Sequence, residues 1–223
     1  MGDAVLAFPV QAARQDEPPL TFTQRVALVR PPCFWPALPG KPPLSPAERA
    51  GLVRLAASIP GDADDEQLVA FIEAMRHAPS GDVIEIGSGG GRTAALLAWL
   101  AGRFQVGAVL CRDDWRPETL ADFEIAVAPV AGDRLNYLCG RDAAGYGPGF
   151  AATTSTFGET RYQGRIALLH LATEIAEAGD WLAFVAPGGW IVASGDAGAV
   201  ETPPERVCAS FKAGGARFVQ LKR

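Results

Sequence analysis

The stretch Val83-Ile84-Glu85-Ile86-Gly87-Ser88-Gly89-Gly90-Gly91-Arg92-Thr93 constrains the fold more than any other part of this 223-residue chain. An apolar run delivers the backbone to a turn almost free of β-carbons, and an apolar helical pattern follows at once. Glycines accept positive φ and let a ligand come close to the main chain. The helix that follows brings unpaired N–H groups to the same place. Two nucleotide sites match the spacing only in part. A P-loop requires a glycine at position 86 and a lysine at 92, where this chain has Ile86 and Arg92. A dinucleotide fingerprint fits Gly87 and Gly89 but requires a third glycine where Arg92 stands.

Around this turn the pattern alternates strand and helix, which predicts a parallel sheet in an α/β fold. Ser45-Pro46-Ala47-Glu48 reads as a capping box that opens a helix to about Ser58. A second helix opens at Asp62 or Asp64 and ends near His77. Strands are expected at Asp82–Ile86, Gln105–Cys111, Leu135–Cys139, Arg165–His170 and Trp190–Ala193. Helices are expected at Arg92–Ala101, Pro117–Val127 and Thr173–Val185, with Pro187-Gly188-Gly189 as a turn. Residues 140–164 read as a surface loop. Val207–Phe211 and Ala216–Leu221 form a closing hairpin across Lys212-Ala213-Gly214-Gly215. The expected architecture is a Rossmann-like, doubly wound, mostly parallel sheet ending in an antiparallel hairpin. Ten of the 18 prolines lie in the first 46 residues, so residues 1–44 read as a leader or as a strap carrying Phe8, Phe22, Phe34 and Trp35. Residues 45–223 make up the domain.

Composition narrows the function classes. Hydrophobic residues are 48% and charged residues 20%, as in an ordinary globular protein. The net charge of −5 repels phosphate backbones, and no basic stripe offsets it, so nucleic acid is not an expected partner. Cys33, Cys111, Cys139 and Cys208 form no Cys-x-x-Cys pair and are expected as buried thiols. There is no signal-peptide pattern, and the apolar run Ala94–Ala101 is too short for a bilayer. The cytoplasm is the expected compartment, with no membrane partner.

Glu85, Gly87, Gly89 and Gly91 match the acid-then-alternate-glycine spacing of class I methyltransferases. The chain resembles the small-molecule O-methyltransferase branch of that class, including enzymes that modify macrolide sugars. The resemblance covers roughly residues 79–223. It is carried by the Glu85 turn, by Ile166-Ala167-Leu168-Leu169-His170 and by Val185-Ala186-Pro187-Gly188-Gly189-Trp190-Ile191-Val192. The terminal hairpin agrees, because this class ends its parallel sheet with one antiparallel strand. The resemblance implies S-adenosylmethionine as cofactor, held by Glu85, Gly87, Ser88, Gly89, Gly91 and Arg92. Asp113, with Asp114 as the alternative, would receive the ribose hydroxyls, and Asp142 would lie near the adenine. The implied acceptor is a small molecule bearing a hydroxyl, and a homo-oligomer or protein partner is left open.

The chain departs from that branch at its metal ligands. The expected aspartates are replaced by Ala172 and by Ser194-Gly195, while Glu174 and Asp196 are out of register. Mg²⁺ is held through carboxylates in fixed geometry, so no metal is expected. Only the 13 residues Ser194 to Arg206 separate the last two parts of the sheet, so the acceptor side is expected to be trimmed. His170 and Asp196 remain as candidate proton acceptors. Plainer readings stand beside these: Asp113 as a turn aspartate, His170 as hydrogen-bonded structure, His77 as structural at a helix C-terminus that favours a cation, and Trp115 and Trp190 as core. The sequence supports a transferase, and alternatively a homologue that binds cofactor or partner without turnover, with a nicotinamide-binding protein as a distant third reading.

Overall fold

The computed structural model describes residues 41–131, 135–139, 164–172, 181–195 and 202–222. Helix α1 (Pro46–Ala57) opens on the Ser45–Glu48 capping box, with Ser45 Oγ accepting from Glu48 N at 3.2 Å. Helix α2 (Asp65–His77) opens on a second box, which selects Asp64 over Asp62 as its cap. Asp64 Oδ1 accepts from Gln67 N at 2.8 Å, and Gln67 Oε1 accepts from Asp64 N at 3.0 Å. Each cap of this kind contributes about 1 kcal/mol. This one also fixes the Gln67 side chain.

Seven strands form one sheet in the order β3-β2-β1-β4-β5-β7-β6. They are β1 (Asp82–Ile86), β2 (Val109–Asp113), β3 (Leu135–Cys139), β4 (Ile166–Leu171), β5 (Val185–Ser194), β6 (Val207–Ala213) and β7 (Ala216–Leu221). Strands β1 to β5 run parallel, and β7 lies antiparallel between β5 and β6. This is the mixed sheet expected from the sequence. Apolar residues alternate between two clusters on its faces. Val83, Leu168, Val192 and Phe218 join α1, α2, α3 (Arg92–Phe104) and α4 (Pro117–Ala131), whereas Ile84, Ile86, Leu169, Ile191 and Val219 pack with Trp181.

Several boundaries differ from the sequence reading, each for a local reason. Helix α3 runs on to Phe104 and ends on Gln105, which takes the left-handed conformation, so β2 starts at Val109 rather than Gln105. Helix α4 takes Pro129 into its last turn and reaches Ala131. Val185 is a strand residue paired with Ile166, not the end of a helix. The Pro187-Gly188-Gly189 segment is a bulge within β5: pairing shifts from Ile166↔Val185 to Leu168↔Trp190 across it. Lys212 and Ala213 belong to β6, leaving Gly214-Gly215 as a two-residue turn.

The proline-rich leader lies outside the described residues up to residue 40, as do residues 173–180 of the expected helix and most of the 140–164 loop. Where the description begins, Lys41 N donates to Arg76 O at 3.4 Å and Lys41 Nζ to Ala78 O at 2.9 Å, so this segment lies on the end of α2. Among the described residues no helix is long and apolar enough to cross a membrane. Cys111 is buried, but Cys208 is exposed, correcting the expectation of buried thiols; Cys33 and the side chain of Cys139 lie outside the described residues.

Candidate functional site

Strand register assembles the site. Cys111 pairs with Glu85, Glu85 with His170, and His170 with Val192, so these four side chains form a row across one face of β2, β1, β4 and β5. Two residues further along each strand, at the carboxyl edge, the next row is Asp113, Gly87, Ala172 and Ser194. The sheet order reverses at β1, which lies between β2 and β4, and ligands of open α/β sheets bind at such an edge.

Glu85 is fully buried, and its carboxylate is occupied on both oxygens. Oε1 lies 2.9 Å from His170 Nδ1, and Oε2 accepts from Cys111 Sγ at 3.5 Å. His170 Nε2 lies 2.9 Å from Ser194 Oγ. Gln67 Nε2 reaches the same hydroxyl at 3.4 Å. The ring of Phe71 meets the imidazole edge-on, with centroids 4.8 Å apart.

Hydrogen-bond chemistry orders this chain of groups. A carboxylate only accepts, so Nδ1 presents its hydrogen to Glu85, and in a neutral ring Nε2 would then accept from the Ser194 hydroxyl. Gln67 Oε1 already takes the Asp64 N–H, so the nitrogen of that amide faces Ser194. The Cys111 thiol is pushed well above its ordinary value, first by burial and then by the Glu85 carboxylate, and so serves as a protonated donor.

The glycine turn is held from both sides. Asp113 Oδ2 accepts from Gly89 N at 2.7 Å, and Oδ1 accepts from Asp114 N at 2.8 Å. Trp115 Nε1 donates to Gly89 O at 2.7 Å while its ring packs on Phe123 at 4.4 Å. Burial moves the Asp113 carboxyl up from its ordinary value, and the bond from Gly89 N–H opposes that shift. Across the turn, Arg92 Nε donates to Ile59 O at 2.8 Å and Nη1 to Ala63 O at 2.7 Å. Arg92 N donates to Pro60 O at 3.3 Å. The α1–α2 linker thus occupies the guanidinium and one N–H of the α3 terminus.

The glycines divide by what a β-carbon would meet. At Gly90 it would lie 2.7 Å from Pro60, and at Gly91 2.8 Å from Val127, so these two are close approaches within the protein. At Gly89, with φ +51°, it would meet nothing within 4 Å. Gly89 is the exposed glycine that faces open space.

Two cavities adjoin the turn. The inner one, about 240 Å³, is lined by Gln67, Gly87, Ser88, Thr93, His170 and Ser194 among others. The outer one, about 800 Å³, runs from Gly89 and Gly90 past Asp113, Asp114 and Trp115 to α4.

The expected site residues Glu85, Gly87, Ser88, Gly89, Gly91, Arg92, Asp113 and His170 therefore converge at one edge, although Glu85 and Arg92 face protein partners. Asp142, Asp196 and Glu174 lie outside the described residues. Among the described residues no three His, Cys, Asp or Glu side chains gather as a metal site. His77 is buried, and burial lowers its pKa, with Arg76 adding to the effect. Trp190 is core, at 6.1 Å edge-on to Phe211. Sequence reasoning missed Gln67, whose only signal was its capping box, and it read Ser194 only as a lost aspartate.

No family model matches the chain, and no curated protein does. Similar solved structures include a SAM-dependent methyltransferase from Geobacter sulfurreducens in complex with S-adenosyl-L-homocysteine, 18% identical over 70% of this chain and 59% of that one, with TM-score 0.43. A SAM-dependent methyltransferase from Thiobacillus denitrificans, also with S-adenosyl-L-homocysteine, is 15% identical over 65% of this chain and 54% of that one, at 0.40. An RNA methyltransferase from Salinibacter ruber is 11% identical over 73% of this chain and 95% of that one, at 0.44. The chain spans little more than half the length of the first two. What belongs to this chain without those likenesses is its own mixed sheet, with the glycine turn at the point where strand order reverses.

Proposed function

We propose that this chain binds S-adenosylmethionine at the carboxyl edge of β1 and β2 and transfers its methyl group to a hydroxyl of a small molecule. The observation that carries the reading is Gly89, the glycine of the turn whose missing side chain faces open space between the two cavities. The cofactor would lie against that bare backbone, with its ribose toward Asp113 or Asp114 and its methionine end toward Gly87 and Ser88. Asp142 is proposed near the adenine. Glu85 would act from beneath, through His170, rather than by touching the ligand.

Methyl transfer is an in-line displacement, so positioning supplies much of the acceleration. His170 Nε2 would take the acceptor proton once the acceptor hydroxyl replaces Ser194 Oγ against it, with Asp196 as the other candidate. With Ala172 and Ser194 in the row above His170, turnover should survive a chelator. Calorimetric titration with S-adenosylmethionine, S-adenosylhomocysteine and NAD tests the reading directly. The two adenosyl ligands should bind and NAD should not, and Gly89→Val should abolish binding in a folded protein. NAD binding alone would sink the proposal.

A second reading, a homologue that binds cofactor without turnover, is favoured by one observation: Glu85, Arg92, Asp113 and His170 are all engaged with protein partners. Tight cofactor binding with no methylation of sugar or phenolic acceptors would support it.

A further inference from the structure

We propose that Ser194 is a nucleophile activated by His170 and Glu85, and that the inner cavity accepts a short-chain carboxylic ester. The order of groups is that of nucleophile, base and orienting acid, with Ser194 Oγ 2.9 Å from His170 Nε2 and His170 Nδ1 2.9 Å from Glu85 Oε1. Both separations fall within the reach a nucleophile–base–orienter array requires. The array recurs on unrelated folds and is recognised by geometry rather than sequence position.

The other requirements are met at the same edge. Ser194 is half-buried and lines the cavity, while His170 and Glu85 lie behind it out of solvent. Gln67 Nε2 lies 3.4 Å from Ser194 Oγ, and its second hydrogen has no acceptor among the described residues. A side-chain amide beside the nucleophile is a known form of oxyanion donor. Besides Gln67, His170 and the exposed carboxylate of Asp62, the lining is glycine, alanine, serine and threonine, and its one guanidinium is engaged with the Ile59 and Ala63 carbonyls, so a small acyl group without a negative charge suits it.

The step balances without any further cofactor. Ser194 Oγ attacks the carbonyl carbon as its proton passes to His170 Nε2, and the carbonyl electron pair moves to an oxyanion beside Gln67 Nε2. Collapse breaks the ester C–O bond, and the leaving alkoxide takes the proton from Nε2 and departs as the alcohol. Water then attacks the acyl–Ser194 ester, passing its proton to Nε2. Collapse releases the carboxylic acid and returns that proton to Ser194. The net reaction is ester plus water to acid plus alcohol.

The inference gives the inner cavity a different occupant from the transferase reading, so the two compete for His170, and its test needs no nucleotide. Full-length protein is treated with a tagged fluorophosphonate, and the adduct is located by peptide mass. Wild type should gain one phosphonyl group on Ser194. Ser194→Ala should not label, and His170→Ala should label at least about a hundredfold more slowly, the usual contribution of a general base. Glu85→Gln, a positioning change, should slow labelling and move its pH profile. Short-chain p-nitrophenyl esters should give an acyl adduct on the same serine. Because variants can misfold, the wild-type result alone is decisive: no adduct on folded protein, or an adduct on another residue, overturns the proposal.

Discussion

The two ends of the cleft use their polar side chains differently. At the β2 end, Asp113 and Trp115 fasten backbone, taking the N–H and donating to the carbonyl of Gly89. At the β5 end, side chains fasten one another, from Gln67 through Ser194 and His170 to Glu85. The first arrangement sets the shape of a turn, and the second sets where protons sit. Substitutions at the β2 end should therefore be read as changes in stability and ligand fit. Those at the β5 end should be read as changes in reactivity.

The largest effect is expected at Gly91. A valine there adds left-handed strain of about 1–2 kcal/mol to overpacking of about 1–3 kcal/mol against Val127 and Phe123. Urea unfolding should show Gly91→Val losing roughly 2–5 kcal/mol, the sum of those two costs. Gly89→Ala should lose only the strain, about 1–2 kcal/mol. Equal losses would erase the distinction between the packed and the open glycine.

Asp113→Ala removes the acceptor for Gly89 N–H. It should weaken S-adenosylmethionine binding at least about tenfold, or about 1.4 kcal/mol. If Asp114→Ala does this and Asp113→Ala does not, the ribose partner is the next residue.

The same carboxyl gives a pH test with a definite sign. Its folded-state pKa is raised by burial, so the folded protein favours the protonated acid. The stability this contributes is full below the unfolded pKa and is lost as pH rises through the folded value. Asp113→Asn keeps an acceptor for Gly89 N–H and should lack that loss. Unfolding free energies of both proteins between pH 3 and 7 should diverge in favour of the variant as pH rises.

The smallest effect on stability is expected at Ser194. Ser194→Ala removes the oxygen from His170 Nε2 at a half-buried position and should cost about 1 kcal/mol, the net value of one hydrogen bond. Its effect on chemistry separates two roles. If His170 serves an acceptor hydroxyl directly, methyl transfer should persist or rise. If Ser194 is itself the reacting group, labelling vanishes while cofactor affinity stays unchanged.

Much of the fold was legible because its signals are local. Apolar runs mark β1 and β4, the glycines mark the turn, and the capping box at Ser45 marks the start of α1. The β5 bulge was not legible, because Pro187-Gly188-Gly189 reads as a turn until pairing with β4 and β7 is known. The site was legible residue by residue but not in its connections. Glu85 and His170 were both singled out, yet nothing local shows that they pair in register and face one another across β1 and β4. Gln67 meets Ser194 across 127 residues of sequence, a separation no spacing rule reaches.

The two-residue turn at Gly214-Gly215 links these distant parts. A β-carbon at Gly214 would meet the Asp64 carboxylate, so only a glycine lets the hairpin tip lie against the cap of α2. On the other side of the tip, Ser194 pairs with Ala216, and Gly195 N donates to Gly215 O at 3.2 Å. A chain emerging from the ribosome makes α2, β1 and the glycine turn long before this hairpin. The tip can therefore seat against the cap of α2, which holds Gln67, only after nearly all of the described chain has been synthesised, long after the glycine turn.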